Sequence, residues 1–320
     1  MKKMSRELEE WEIIERSIFK RFRKELWTPF ITAIQQYDLI QEGDRIAVCV
    51  SGGKDSMLLA KLMQMLQRIS KVPFELRFLA MNPGYSEKNM SQILENGEKL
   101  HIPLTVFQNR LFEIADKYGE HSPCYLCAKM RRGALYAKAQ ELGCNKIALG
   151  HHMNDAIETT VMAMFYASQL QGMMPKLHSR NFPGMELIRP LYRIHEESVI
   201  AWKNYHHLTF LACACRFTES IENSANGIGV SKRKEIKELL KTLRKTNPDI
   251  EKSLFNSLHA VSVDTFPGIK IGTEGHSFLE RYDASAEKAQ IFVENIKDHV
   301  SGTNGQNAVS LPDGFKSKEV

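Results

Sequence analysis

The sequence predicts an α/β protein: a doubly wound, mainly parallel sheet with helical additions at both ends. Three observations predict it. Short apolar runs recur at 46–50, 74–81, 104–107, 146–149 and 187–189, each of a length suited to a buried strand. Helical patterns near 57–66, 89–100, 127–142 and 155–168 fall between or after them, so strand and helix alternate. The first run passes through a short loop, Ser51-Gly52-Gly53-Lys54-Asp55-Ser56, straight into a helix. In open sheets of this kind, ligands sit at the carboxyl ends of the strands.

Taken in order, residues 4–27 carry Leu8, Trp11, Ile14, Ile18, Phe22 and Leu26 at helical spacing among charges. This is an amphipathic helix, and Pro29 breaks it or begins a second one. Its apolar stripe either caps the chain's own core or joins two copies in a homodimer. The sheet domain runs over 41–220, and within it the last strand ends at Pro190 and a helix over 196–205 extends the same layer. Residues 221–266 form a basic helical segment. Its centre, 231–245, has the apolar stripe Ile236, Leu239, Leu240 and Leu243. Residues 267–320 are poor in apolar periodicity and rich in Gly and Ser, so a loosely structured tail is expected.

With 320 residues, 43% hydrophobic and 25% charged, the chain can bury a full core. The first ten residues are charged, and no stretch approaches the roughly 20 apolar residues of a membrane span. A cytoplasmic protein with no membrane partner is expected. Six cysteines, at 49, 124, 127, 144, 213 and 215, are too few for a disulfide scaffold of this length; close pairs suggest metal or redox chemistry. A net charge of +5 leans toward a polyanionic partner, a bias shared with many proteins that never meet nucleic acid.

The segment 51–56 follows a strand and opens a helix, where backbone amides and the helix dipole make an anion site. Gly52 and Gly53 let the main chain close around phosphate, Lys54 adds a point charge, and Ser51 and Ser56 add hydroxyl donors. The loop lacks the four residues that separate Gly from Gly-Lys-Ser/Thr in the common nucleotide loop. It resembles, residue for residue, the PP-loop of the N-type ATP pyrophosphatases. That resemblance implies binding of ATP, cleavage between the α and β phosphates, transfer of AMP to a substrate oxygen, and Mg2+ near Asp55. The segment Gly150-His151-His152-Met153-Asn154-Asp155 is similar to the family's Gly-His-His-x-Asp-Asp, with Asn154 where the first acid is usual. Gly150, His151 and Asp155 would then line the nucleotide, although either histidine reads equally well as a satisfied strand-end residue.

Cys124 and Cys127 open a helix, where the dipole favours thiolate, and Lys129, Arg131 and Arg132 follow them. Cys213 and Cys215 could bring further thiolates to the same face. Cys49 and Cys144, by contrast, sit in or beside apolar strands and read as packing residues. Over about 41–261 the chain resembles the tRNA 2-thiocytidine synthetase group: Glu42-Gly-Asp-Arg, the PP-loop, Cys124 and Cys127, Arg131-Arg132, Gly150-His-His, Arg189-Pro-Leu and Cys213. The resemblance implies that Cys124, Cys127 and Cys213 hold a [4Fe-4S] cluster with one open iron. It implies that sulfur replaces an adenylated oxygen of cytidine 32 in tRNA, with Lys54 and Asp55 at the adenylation step. The sulfur would come from a donor such as a cysteine desulfurase. Four thiols at 124, 127, 213 and 215 could instead close a structural zinc site, or carry a persulfide.

Arg131 and Arg132, with Lys232, Arg233 and Lys234 of the basic helix, are the candidate RNA or substrate contacts. A solvated helix face is the plainer reading of such a charge run. A base must be unstacked to react, which suits an anticodon-loop nucleotide. Two rivals stay open: an amine ligase like tRNA lysidine synthetase, whose loop is similar, and a non-catalytic nucleotide-binding protein with a structural zinc site.

Overall fold

Strand β1, Arg45–Val50, is buried at five of its six positions, as a central parallel strand must be when helices cover both faces of the sheet. Its residues divide by side: Ile46, Val48 and Val50 join one core cluster, Ala47 and Cys49 another. A computed structural model of the chain describes residues 7–109, 123–211 and 232–282, without the side chains of 123–129 and 281.

The remaining strands of the main sheet are β2 (Glu75–Asn82), β3 (Leu104–Gln108), β4 (Lys146–Ala148), β5 (Lys176–His178) and β6 (Glu186–Ile188). They lie in the order β3-β2-β1-β4-β6-β5. All pairings are parallel except β5 with β6. The order runs outward in both directions from β1 and β4, so the crevice between their carboxyl ends is the switch point where such sheets bind ligands. The doubly wound, mainly parallel α/β sheet expected from the sequence is therefore present. The antiparallel edge strand β5 was not signalled, because Lys176-Leu177-His178 is a largely exposed edge with one apolar residue and so shows no apolar run.

Helices α1 (Glu10–Phe19) and α2 (Thr28–Gln36) are joined by a π-helical turn, Arg23–Trp27, with Pro29 in the first turn of α2. The single long helix expected over 4–27 is thus broken within its sequence range. Ile14 and Ile18 are fully buried in the same cluster as Val48 and Leu59. The stripe caps the chain's own core. Lys61 of α3 (Lys54–Ile69), fully buried, is held by Glu15 of α1 at 2.6 Å and by the Leu100 carbonyl at 2.7 Å. Residues 10–36 in this sense form a layer of the sheet domain.

Helices α4 (Glu87–Lys99), α5 (Pro123–Glu141), α6 (Met153–Tyr166) and α7 (Glu196–Tyr205) complete the alternation. The basic helix α8 (Lys232–Thr246) and α9 (Ile250–Ser257) pack on α6 through a third cluster that includes Ile157, Ile236, Leu240 and Phe255. Part of the expected loose tail has structure: β7 (Gly268–Ile271) and β8 (Glu274–Ser277) form an antiparallel hairpin followed by α10 (Leu279–Tyr282). Residues 283–320 lie outside the described residues. Among the described residues, no helix is long and apolar enough to cross a membrane.

Candidate active site at the strand ends

The phosphate loop connects β1 to α3, and its shape is fixed from within. The Ser51 N–H donates to Ser56 Oγ at 3.1 Å, and the Ser56 hydroxyl donates to the Gly53 carbonyl at 3.0 Å. Gly52 has φ +85°, and a Cβ there would lie 2.6 Å from Ile93 Cγ1, so both backbone and space demand glycine. At Gly53 a Cβ would meet only ordinary contacts, at 3.7 Å and beyond. That glycine leaves room on the loop where a ligand would lie.

Gly150, just past β4, faces the loop across the switch point. A Cβ on it would lie 3.0 Å from the Ser56 amide nitrogen, so its absence lets the two strand ends touch. His152 then begins α6, its N–H donating to Asp155 Oδ2 at 2.9 Å while Asp155 acts as the reciprocal cap. The sequence placed this helix two residues later, because the capping histidine was read as part of the strand end.

Between these elements lies a cavity of about 390 Å³, lined in part by Ser51, Gly53, Asp55, Ser56, Gly150, His151 and Asp155, and by Arg131 and Arg132 of α5. Asp55 Oδ1, His151 Nδ1 and Arg131 Nε are buried with no hydrogen-bond partner among the described residues. Burial, aided by the guanidinium groups of Arg189, Arg233 and Arg132 and opposed by Asp155, pushes the His151 imidazole down to about 4. It is therefore neutral at pH 7. Arg189, at the end of β6, is 7% exposed, and its Nε also lacks a hydrogen-bond partner among the described residues. It donates to the Met174 carbonyl, and burial, with Arg132 nearby, lowers its pKa to about 10.

Lys54 Nζ lies 3.0 Å from Asp55 Oδ2 and 2.9 Å from Glu196 Oε1, at the start of α7. Burial works against its charge, but the two carboxylates outweigh burial and raise its pKa. Burial likewise opposes ionisation of Glu196, yet hydrogen bonds from Lys54 and Lys237 hold that carboxyl down at about 2. Glu196 was not among the site residues expected from the sequence. Its only local signal is a position in the first turn of a helix that follows a strand end.

Asn154 is 8% exposed and does not line the cavity. Its Oδ1 accepts the Glu196 N–H at 2.9 Å and its Nδ2 donates to Glu251 Oε1 at 3.1 Å. Here the amide links α6 to α7 and α9. A carboxylate could make the first bond but not the second.

Of the candidate RNA contacts, Arg233 turns inward, with Asp155 at 3.3 Å and Glu158 at 3.4 Å. Lys232 lies over the Tyr166 ring at 4.8 Å, and Lys234 is exposed. Cys124 and Cys127 are at the start of α5, where their side chains are not described, and Cys213 and Cys215 lie outside the described residues. The backbone nevertheless bears on them. Positions 124, 127 and 131 share one helix face by their spacing of seven and four. The Leu211 N–H donates to the Gly52 carbonyl at 3.2 Å, which ties the last described residue before Cys213 to the phosphate loop.

A glycine loop between a central strand and its helix, facing a second strand end at the switch point, defines a PP-loop nucleotide-binding protein. The family model described as PP-loop domain matches residues 24–216, more than half of the chain. The chain belongs to the PP-loop family and, within it, to the group of tRNA-cytidine(32) 2-sulfurtransferases. The relative of that name from Geotalea uraniireducens (strain Rf4) is 36% identical over 251 residues, covering 77% of this chain and 93% of its own length. Its namesake from Geobacter metallireducens is 34% identical over 243 residues, covering 75% and 90%. Among solved structures, the U34-tRNA thiolase NcsA from Methanococcus maripaludis, described with its [4Fe-4S] cluster, shares the fold. It has a TM-score of 0.58 at 20% identity and covers 78% of this chain and 82% of its own.

Proposed function

We propose that this chain is a cytoplasmic ATP-dependent tRNA sulfurtransferase that replaces the O2 oxygen of cytidine 32 with sulfur. The observation that carries the reading is one cavity bounded both by the phosphate loop and by Arg131 and Arg132 of the cysteine-bearing helix. Its volume, about 390 Å³, is in the range of small-ligand sites.

In this reading the amides of 51–56 and the Lys54 ammonium receive the β and γ phosphates of ATP. Asp55 Oδ1, buried without a hydrogen-bond partner among the described residues, fits a carboxylate ligand of Mg2+. Bound there, the ion would offset the charge of the phosphates that the loop receives. The base oxygen attacks the α-phosphorus, pyrophosphate leaves into the loop, and the base carries AMP on that oxygen. Gly150, His151 and Asp155 border the AMP half. Arg131 and Arg132 offset phosphate charge, and neutral His151 offers an acceptor nitrogen for a proton shed by the base adduct.

Cys124, Cys127 and Cys213 would hold a [4Fe-4S] cluster. The thiolate donor set and the helix-start position of the pair fit it. When bound, the cluster supplies the sulfur nucleophile that attacks the activated carbon and expels AMP. The sulfur would come in turn from a donor such as a cysteine desulfurase. We take 41–220 as the catalytic domain, with 1–40 built into its core, 221–266 as an appended helical unit that sends Lys232 and Lys234 toward tRNA, and 267–320 as the tail. A homodimer would have to use a surface other than the buried stripe of α1.

The test is anaerobic purification of wild type, Cys124→Ala and Cys213→Ala, with iron, sulfide and zinc analysis and a thiolation assay on tRNA with ATP. About four iron and four sulfide per chain, lost in both variants together with thiolation, is the expected result. One zinc and no iron would overturn the sulfur chemistry and favour a structural site. ATP-dependent tRNA modification that survives loss of all three cysteines would favour an amine ligase.

A further inference from the structure

The basic helix α8 sends cations into the site instead of displaying all of them. Lys237 Nζ lies 3.0 Å from Glu196 Oε2 and 3.6 Å from Glu158 Oε1, while Arg233 pairs with Asp155 and Glu158. Glu158 has a side chain only 3% exposed, and Glu196 is the residue whose other oxygen holds Lys54. A continuous line of charge therefore runs from α8 through Glu196 to the phosphate-loop lysine. Asp55 and Asp155 line a cavity meant for a polyanion, and Glu158 and Glu196 stand behind them, joined to them through Arg233 and Lys54. Arg131 and Arg132 offset charge from the cavity wall, whereas Lys237 does so from behind, at Glu196 and Glu158.

We propose that Lys237 is a positioning residue for ATP, acting through Glu196; the inference rests on ATP occupying the phosphate loop. With the loop free, Glu196 is shared between Lys54 and Lys237. When Lys54 turns to the phosphates, Lys237 keeps the half-buried carboxylate neutralised, so the move strands no charge beside the incoming anion. Removing Lys237 leaves Glu196 with Lys54 as its remaining close lysine. The carboxylate then competes with ATP for the lysine and repels the phosphates. Removing Glu196 as well abolishes that competition.

The experiment measures binding of Mg2+ and α,β-methylene-ATP, and separately of tRNA, to the full chain carrying Lys237→Met, Lys237→Arg, Glu196→Gln, or Lys237→Met with Glu196→Gln. Thermal melts run alongside so that unfolding is not read as lost affinity. Lys237→Met should weaken nucleotide binding about tenfold, or 1.4 kcal/mol, while Lys237→Arg stays within about threefold. The double variant should recover to within about threefold of wild type, with tRNA affinity unchanged throughout. Purely structural damage would accumulate in the double variant, and that result overturns the proposal. So does a Lys237→Met protein that keeps its nucleotide affinity and loses tRNA affinity, which would make Lys237 an RNA contact. Failure of wild type to bind the nucleotide would instead sink the functional reading beneath it.

Discussion

The phosphate loop and the basic helix both concentrate charge and polarity, but they are built from opposite kinds of information. The loop is local: six consecutive residues, a strand before and a helix after, and hydrogen bonds that close among Ser51, Gly53 and Ser56. Helix α8 takes its meaning from partners 41 to 79 residues away in sequence, Asp155, Glu158 and Glu196. A motif made of neighbours can be read from a sequence, whereas a charge run cannot say which of its members face solvent.

That contrast is sharpest at Lys54. Lys54→Ala should lower ATP-dependent turnover about 10²- to 10³-fold, the scale seen when one charge-stabilising donor is lost, with the melting temperature nearly unchanged. Steady-state thiolation and a thermal melt check it. A large fall in melting temperature would mean that the ion pairs with Asp55 and Glu196 serve the fold first.

The glycines come next. Gly52→Ala and Gly150→Ala should each cost about 1–3 kcal/mol of stability, since one needs positive φ and the other would press on backbone. Gly53→Ala should stay within about 0.5 kcal/mol and weaken only nucleotide binding. Chemical denaturation of the three variants separates backbone need from ligand need. Equal losses in all three would erase the distinction.

Asn154→Asp, which restores the acid more usual in this motif, should destabilise the protein by about 1–3 kcal/mol. It replaces a donor to Glu251 with a second carboxylate 3.1 Å away. Pairing it with Glu251→Gln should recover most of the loss in urea melts, and no recovery would show that repulsion from Glu251 is not its cause.

The smallest effect is in pH. Burial, against the pull of Lys237 and Arg233, pushes the Glu158 carboxyl up to about 7 from an ordinary value near 4.5. The folded state then holds a proton that the unfolded state releases. The resulting stability is full below about 4.5 and is lost as pH rises through 7. Glu196, held down at about 2, acts in reverse: its contribution is present above about 4.5 and lost as pH falls toward 2. Glu158→Gln should therefore flatten the decline of wild-type stability between pH 5 and 7, as read from urea midpoints in matched buffers. An unchanged slope would place the cause elsewhere.

Much of the fold was legible because parallel strands buried on both faces appear as unbroken apolar runs, as at Ile46 to Val50. Strand β5 was not, because an exposed edge with one apolar residue shows no apolar run. At the site, Ser51 to Ser56 and Gly150 could be read because glycine and lysine at fixed spacing have few other uses. Glu196, Glu158 and Lys237 could not, since an acid or base in a helix looks the same whether its partner is water or another helix. Asn154 marks the limit. The departure from the motif was visible, but its reason, a carboxylate on α9, is 97 residues away.

The shared core beneath the sheet decides where this chain can be cut. Trp27, Phe30, Ile14 and Ile18 pack with the central strand although they precede the family's phosphate motif by some 20 to 40 positions. A fragment beginning at residue 41 would carry the whole nucleotide loop and still lose the buried side chains of α1, α2 and the turn between them from the core cluster that includes β1 and α3. The minimal heritable unit is therefore larger than the motif it serves, and a fusion or split that respects it must keep residue 10 and everything that follows in the sheet.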